Sequence, residues 1–136
     1  MTTPGSVTTA VQAAMAQAMR SDPVLTSIIG DRVFDDVPTD APHPCVSFGP
    51  EDWQQVQGDC LATIQGTVQV DVWSRAPGRS EAKEIADHVA TLFHDVELVL
   101  QPPWRGVACD VVMRRVFDDP DGITKHAVVM VAVIAE

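Results

Sequence analysis

The sequence predicts an α+β fold of two layers, in which a main helix and an N-terminal helical hairpin cover one face of a mainly antiparallel sheet of four to five strands. From Ile64 to Trp73 apolar and polar residues alternate, which is the period of a strand with one covered face. After the break at Pro77-Gly78, apolar residues recur at the 3.6-residue spacing of a helix. The final stretch, Ile123 to Ala135, is apolar on both parities beyond His126, which predicts a central strand covered on both faces.

The first helix begins close to the N-terminus. Ser6 or Thr8 can act as its N-cap residue, and it ends by Arg20-Ser21. Its apolar residues are spaced so that they form one stripe that faces the core. The stripe consists of Val11, Met15, Ala18 and Met19.

A second, shorter helix follows. Asp22-Pro23 combines an N-cap residue with a proline suited to the first helical position, and the helix extends through Ile29. Gly30 suits the left-handed residue that closes a helix. Val33-Phe34 can form a short strand. Val37 to Pro44, with three prolines in eight residues, must be an extended connector, because proline cannot donate to a ladder.

The segment between this connector and the long strand allows two interpretations. Cys45 to Phe48 predicts a short strand, and Gly49-Pro50 breaks the pattern. The polar segment Glu51 to Asp59 is then either a long loop or the exposed tip of a hairpin. In the second case it links the short strand to the long one at Leu61 to Trp73.

The main helix is predicted from about Arg79 to His94, with Ser80 as its N-cap residue. A further strand is predicted from about Val107 to Phe117. Asp119-Pro120-Asp121-Gly122 then predicts a type I turn whose glycine takes a positive φ. The stripe of the main helix that faces the sheet consists of Ala82, Ile85, Ala86, Val89, Leu92 and Phe93.

Composition narrows the class of protein. A chain of 136 residues fits one domain, residues 1–136. No apolar run approaches the roughly 20 residues that cross a bilayer, and the N-terminal residues lack the pattern of a secretory signal. We therefore expect assembly in the cytoplasm and no membrane partner. The formal net charge of −10 argues against a nucleic-acid grip, because affinity for phosphates comes chiefly from clustered Lys and Arg.

The residues with reactive side chains predict neither an enzyme nor a cofactor. Cys45, Cys60 and Cys109 contain no Cys-x-x-Cys pair, so we expect small buried apolar residues. Ser80 and Lys83 match the Ser-x-x-Lys pattern of penicillin-recognising enzymes only formally, because the chain is too short for that fold.

The histidines and acidic residues do not predict a metal site. No two histidines have the spacing that places two imidazoles on one metal. We expect His88 and His94 to be solvated and His126 to be a hydrogen-bonded interior residue. One acidic cluster could attract Ca²⁺, but it lacks the twelve-residue loop of a calcium site, so turn chemistry explains it better. That cluster consists of Asp118, Asp119 and Asp121.

Three segments together resemble the tail terminator or tail-completion proteins of long-tailed phages and gene transfer agents. They are the strand–turn–helix junction Val68 to Ala86, the segment Asp22 to Val33 and the segment Arg115 to His126. The resemblance spans roughly Ala14 to Glu136. It implies a small subunit without enzymatic activity that forms a six-membered ring on the head-proximal end of the tail tube.

The resemblance also implies partners. Such a ring stops tube growth and offers a surface to the head, so its partners are further copies of itself, the tail tube protein and a head-completion or connector protein. It ends as part of the tail of the virion or particle. DNA passes through the ring without sequence-specific binding, and an acidic lumen would let it slide without sticking.

Candidate interface residues follow from the idea of a ring. Trp53 with Gln54 and Gln55 is expected to anchor one neighbour, because tryptophan is a typical hot-spot residue. Trp73 lies on the parity opposite to the valines, so it either buries itself against another subunit or shields the first helix.

The cations around the start of the main helix allow three interpretations. Arg75, Arg79 and Lys83 could pair with acidic residues of a neighbour, either the turn from Asp118 to Asp121 or Glu51-Asp52. They could also belong to a merely solvated turn. The third possibility makes the chain a small cytoplasmic domain that binds an anion or phosphate at the helix N-terminus, or an enzyme-accessory domain.

Overall fold

The structure is a computed structural model that describes residues 6–56 and 63–136. Sequence predictions that concern Cys60, or the start of the long strand at Leu61, lie outside the described residues. In the two described ranges no helix is long and apolar enough to span a bilayer. The elements of these ranges are, in chain order, α1 (Val7–Arg20), α2 (Pro23–Ile29), β1 (Val33–Phe34), β2 (Cys45–Gln55), β3 (Ile64–Ser74), α3 (Ser80–Phe93), β4 (Val96–Val99), β5 (Gly106–Asp118) and β6 (Lys125–Ala135).

The strands form one sheet in the order β1-β2-β3-β6-β5-β4. β1 runs parallel to β2, and all other neighbours are antiparallel. The predicted α+β class and the central position of β6 are confirmed. The sheet is mainly antiparallel, as predicted, but the described residues form six strands instead of four to five, and the β1–β2 pair is parallel. The possible short strand at Val33-Phe34 forms β1, and the strand that was missed is β4, whose four residues are too few for an alternating pattern to reveal it.

The helices cover one face of the sheet, which we call the helix face. Val68, Val70 and Val72 of β3 belong to it and are at most 1% exposed. In β6, Val131 lies beside Val68 and Val129 beside Val70. α3 lies over β3, β5 and β6, while α1 and α2 pack beside it. Full burial of each such side chain contributes roughly 1.5–3 kcal/mol. The helices add Val11, Met15, Met19, Leu25, Ile29, Ile85, Val89 and Phe93 to this core.

No helix of the described residues lies on the opposite face, and we call it the helix-free face. β6 shows how unevenly it is covered. Val128 is 7% exposed, whereas Ile134 near the other end of the strand is 48% exposed. The prediction that β6 is covered on both faces is therefore correct for its first half only.

The second strand is longer than the sequence predicted. β2 continues past Phe48 to Gln55 and remains paired with β3 down to the Gln55–Ile64 pair. A shift in register between Phe48 and Glu51 absorbs Gly49-Pro50, so this dipeptide bulges the strand instead of ending it. Of the two interpretations of the polar segment, the hairpin is confirmed for residues 51–55, and residues 57–59 lie outside the described ranges.

The helix ends match the predicted capping chemistry in two cases of three. The side chains of Ser6 and Asp22 each accept a hydrogen bond from the backbone N–H three residues further on. Gly30 ends α2 with a positive φ of 61°, but its ψ of −132° lies outside the left-handed region that was predicted. The prediction for Ser80 is wrong, because the N-cap residue of α3 is Arg79 and no side chain caps that helix. A shift by one residue is the usual uncertainty of a helix boundary.

Candidate functional site

The residues that the sequence singled out form two groups at opposite ends of the strands. At one end β2 and β3 form a hairpin, in which Trp53 lies beside Gly66. At the other end β3 leads into α3, and β5 turns into β6. We call these the hairpin end and the turn end. The hairpin end holds Trp53, Gln54 and Gln55, and the turn end holds Trp73, Arg75, Arg79, Asp118, Asp119 and Asp121.

At the hairpin end, Trp53 is less available than a loop residue would be. It lies on a strand, is half-buried and packs against the core, and its Nε1 donates to Glu51 Oε1 at 3.1 Å. Gln54 and Gln55 are exposed, and Gln55 Nε2 donates to the carbonyl oxygen of Thr63 at 3.2 Å. Among the described residues of this end, the two amide side chains are therefore more exposed than the indole.

At the turn end, Asp121 organises the β5–β6 turn. Its carboxylate accepts hydrogen bonds from Ile123 N and Thr124 N, both at 2.8 Å, and from Thr124 Oγ1 at 2.6 Å. These bonds lower the pKa of Asp121 to about 2, and the bond from the Thr124 side chain contributes most to this shift. Gly122 N donates to Asp119 O at 3.0 Å, and Gly122 has a φ of 74°. The predicted turn is confirmed, and turn chemistry explains this carboxylate.

Arg79 and Asp118 connect the start of α3 with the end of β5. Arg79 Nε donates to Asp118 Oδ1 at 3.1 Å, and Lys125 Nζ lies 3.3 Å from the same oxygen. The hydrogen bond from Arg79 is the main reason why the pKa of Asp118 is lowered. The sequence predicted such pairing across a subunit boundary, and the structure places a pair of this kind within one chain.

Arg75 is exposed beside the same turn. The positive charge of Arg75 helps to lower the pKa of Asp121. It also helps to lower the pKa of His43, for which burial is the larger cause. Arg75 therefore lies close to both the acidic turn and the end of the connector. Its side chain makes no hydrogen bond or ion pair within the described ranges.

Trp73 lies on the helix-free face. Its ring stacks on His126 with 3.9 Å between centroids, and its Nε1 donates to Ser47 Oγ at 2.9 Å. The alternative that Trp73 shields the first helix is wrong, because the helices occupy the other face. Phe117 packs on the far side of the group, 4.7 Å from the His126 ring.

Asp71 is a buried residue that the sequence did not single out. It is 5% exposed, and its Oδ1 lies 2.7 Å from His126 Nε2 and accepts from Gln69 Nε2 at 2.9 Å. The predicted hydrogen-bonded interior position of His126 is confirmed. Its partner was missed because Asp71 has the parity of a solvent-facing residue. The glycine at position 49 was a signal of this close packing, because a Cβ at that position would overlap the Asp71 carboxylate.

His88 joins two helices, so its predicted solvation is wrong. Its Nε2 lies 2.6 Å from Asp22 Oδ2, and its side chain is 23% exposed. Asp22 also caps α2, and the bond from Leu25 N is the main reason why the pKa of Asp22 is lowered. His94 is 64% exposed, as predicted, with its Nδ1 at 2.8 Å from Asp110 Oδ1.

The described residues offer little to a metal or an anion. No three His, Cys, Asp or Glu side chains in these ranges lie close enough to hold one metal ion. Cys45 and Cys109 are buried as predicted, and burial raises the pKa of Cys109 to about 11. At the start of α3, Glu81 lies in the first turn and Asp118 holds Arg79, so two carboxylates oppose a bound anion.

The helix-free face becomes concave toward the hairpin end. The resulting groove has a volume of about 950 Å³ and crosses the sheet from β2 to β4. Its described lining contains four carboxylates and no Lys or Arg. The four are Asp52, Asp95, Glu97 and Asp110.

Comparison with known proteins identifies the family. A chain from the virion of a native gene transfer agent particle is 27% identical, with a TM-score of 0.86 over 98% of this chain and 99% of that chain. The gp17 protein of bacteriophage SPP1 is 23% identical and has the same fold, with a TM-score of 0.62 over 96% of this chain and 95% of that chain. No curated protein matches the sequence. Residues 13–136 match the family described as Tail completion protein gp17, which confirms the resemblance drawn from the sequence, and the chain belongs to this family.

Proposed function

We propose that the chain is a structural assembly protein that caps the head-proximal end of a tail tube as a ring, ends tube growth and forms part of the joint to the head. The match of residues 13–136 to tail completion proteins carries this proposal. The likeness to a component of a gene transfer agent virion, over 98% of the chain, supports it. The chain acts as one domain, performs no chemical step and has the tube protein, the head connector and its own copies as partners.

Capping requires two unlike ends. A tube grows because each added ring presents the same end again, so a terminator must match that end on one side and present a different surface on the other. The two ends of this sheet differ in this way. The hairpin end presents the neutral amides of Gln54 and Gln55, and the turn end presents Arg75 and Arg79 beside an acidic turn. We assign the two groups to contacts with partners or neighbouring copies on opposite sides of the ring.

The helix-free face is the best candidate for the lumen. Its groove carries carboxylates and no cation among the described lining residues, so it repels phosphates. DNA can then move through the ring without a specific grip, because retention on a protein surface depends on Lys and Arg. Arg115, beside Phe117 toward the turn end, is a cation on the same face.

Anion binding as the main function has no support in the arrangement of the α3 N-terminus. Arg79 is engaged by Asp118, and Glu81 places a further negative charge in the first turn. A phosphate would have to displace the carboxylate of Asp118 and approach that of Glu81.

The test of the proposed function is Arg75→Glu with Arg79→Glu. Both side chains are exposed, so we expect the purified subunit to keep the circular dichroism spectrum and melting temperature of the parent. In particles that carry this variant, we expect tails of uncontrolled length that fail to join heads. Electron microscopy measures tail length and head attachment directly.

The matched control is Arg75→Lys with Arg79→Lys, which keeps both charges and should give tails of parental length. If the Glu variant is folded and also gives normal, head-attached tails, these arginines have no role at an interface. If particles that lack the chain altogether have tails of normal length joined to heads, the proposed function itself is wrong.

A further inference from the structure

Two long strands of the sheet are each paired along only half of one side. β1 meets β2 only at Val46 and Ser47, so the outer side of β2 from residue 49 to 55 has no strand partner among the described residues. At the other edge, β4 meets β5 only from Gly106 to Cys109. The outer side of β5 from residue 112 to 118 therefore also has no strand partner among the described residues. Unpaired backbone N–H and C=O groups of this kind are a template for another strand.

The two open halves carry opposite charge. From Val33 to Ser74 the sequence contains no Lys or Arg, and the open half of β2 carries Glu51 and Asp52, both exposed. The open half of β5 carries Arg114 and Arg115, also exposed. Its last residue, Asp118, is paired with Arg79 and Lys125 of its own chain. Immediately before these arginines, Val112 and Met113 are exposed apolar side chains, at 60% and 47%.

The charges also match on each face of the sheet. Arg114 lies on the helix face, where its Nη1 donates to Asp87 of α3 at 3.0 Å, and Arg115 lies over Phe117 on the helix-free face. Asp52 lines the groove of the helix-free face, and Glu51 lies on the other side with Trp53. Apart from Asp118, which is already paired within its own chain, each open half thus presents one charge on each face, of opposite sign to that of the other open half.

The directions of the strands suit a head-to-tail assembly. β5 runs opposite to β2 in the sheet, so copies related by rotation about an axis along the strands would join them in antiparallel fashion. All helix-free faces would then point the same way. The open half of β2 lies at the hairpin end and that of β5 at the turn end, so neighbours must be staggered, as strands are in a closed barrel.

We propose that the open half of β5 in one copy pairs with the open half of β2 in the next, so that the sheet continues from copy to copy around the ring. This inference rests on the proposed function in taking the assembly to be a closed ring. Charges at a sheet edge often keep copies apart, and for that purpose both edges need the same sign. Here the edges have opposite signs, which favours contact between unlike edges and sets their register.

Charge reversal at one edge and then at both tests this pairing in the full-length chain. Arg114→Glu with Arg115→Glu makes both edges acidic, and Glu51→Arg with Asp52→Arg makes both basic. For either variant we expect the protein concentration of half-assembly, measured by sedimentation velocity, to rise by roughly tenfold or more. The chain with all four changes restores opposite signs and should again form rings of parental size, visible by electron microscopy.

The control for overall charge is Arg105→Glu with Ala13→Glu and Thr39→Glu. It changes the net charge by the same amount as the arginine variant, at exposed positions outside both open halves, and should assemble like the parent. Hydrogen exchange separates backbone pairing from contact through side chains alone. Amides in residues 51–55 that point away from β3, and amides in residues 112–118 that point away from β6, should become protected in the assembled parent and remain fast in the monomeric variants.

Each outcome decides a separate question. Parent rings that persist in folded Arg114→Glu/Arg115→Glu, or that form without amide protection at the two open halves, overturn the edge pairing and leave the proposed function standing. Failure of the chain with all four changes to assemble also overturns the pairing. A parent chain that forms no ring, alone or on tail tubes, overturns the pairing together with the ring itself.

Discussion

Asp71 is a carboxylate on the helix-free face, yet it is only 5% exposed. Its neighbours explain this burial. His126 and Gln69 are hydrogen-bonded to it, and Gly49 leaves room because it has no Cβ. Trp73 and Phe117 pack on either side of the His126 ring. The polar cluster at the turn end is therefore a small second core on the helix-free face.

Removal of the Asp71 carboxylate should destabilise the fold. Asp71→Ala leaves the part-buried donors of His126 and Gln69 without this acceptor, which costs roughly 1–3 kcal/mol in the free energy of unfolding. Asp71→Asn keeps one acceptor oxygen and should lose less. Urea unfolding measures both variants, and equal stability of Asp71→Ala and the parent would contradict a structural role for this cluster.

At the scale of elements, α2 is a short helix held at both ends. Asp22 caps it and at the same time contacts His88 of α3, and Gly30 ends it at a φ of 61°. Isolated helices of this length are marginal in water. The caps and the packing of Leu25 and Ile29 therefore keep it folded.

The Asp22 cap predicts a pH-dependent loss of stability. Asp22→Ala should lower the free energy of unfolding at pH 7 by about 0.5–2 kcal/mol. The pKa of Asp22 is lowered from its ordinary value of 3.8 in the folded chain, so its contribution is complete above that value and disappears as the pH falls through the folded pKa. The difference between variant and parent should accordingly shrink below about pH 4.

Thermal melts from pH 7 down to pH 2 measure this difference. The control is Asp31→Ala, which removes an exposed carboxylate just beyond the same helix and should leave stability nearly unchanged. A gap between Asp22→Ala and the parent that stays constant across the acid range would show that charge plays no part in the cap.

Long elements were predictable because their signals are local. The alternation along β3 and the helical stripe of α3 need only neighbouring residues, and both elements lie where the sequence predicts them. The extent of β2 was missed because Gly49-Pro50 has the composition of a strand breaker, whereas the long pairing with β3 carries the strand across it as a bulge.

Contacts between distant segments were not predictable in the same way. The Arg79–Asp118 pair joins residues 39 positions apart, and Asp71 and His126 are 55 apart. Both depend on which strands are neighbours and in which register, and the spacing of residues along one sequence does not specify either. The acidic turn was predictable because the residue types that favour a turn stand next to one another, in Asp119-Pro120-Asp121-Gly122.

At the scale of the whole molecule, charge and curvature coincide. The helix face contains the core, while the helix-free face is concave and carries Asp52, Glu97 and Asp110 in its groove. If the sheet continues between copies, this face forms the inner wall of the ring and the helices form its outside. The hairpin and turn ends then face the two neighbours along the tail axis.

An acidic inner wall predicts an effect on DNA passage that is separate from assembly. Glu97→Lys with Asp110→Lys reverses two exposed charges of the groove away from both open strand halves. We expect particles with normal tails and attached heads, because neither residue is among those assigned to contacts, which are Gln54, Gln55, Arg75 and Arg79. DNA should leave these particles more slowly than the parent, since lysines facing the lumen bind phosphates, and the difference should decrease as salt is raised.

DNA release, triggered in vitro and followed by the fluorescence of an intercalating dye, measures the rate. The matched control is Asp31→Lys with Glu84→Lys, which changes the net charge equally at exposed positions outside the groove and should release DNA at the parental rate. If both variants slow release to the same extent, net charge is responsible and the groove does not line the channel. If neither variant differs from the parent at low salt, DNA does not pass along this face, because a lysine-lined wall at close range could not leave its passage unchanged.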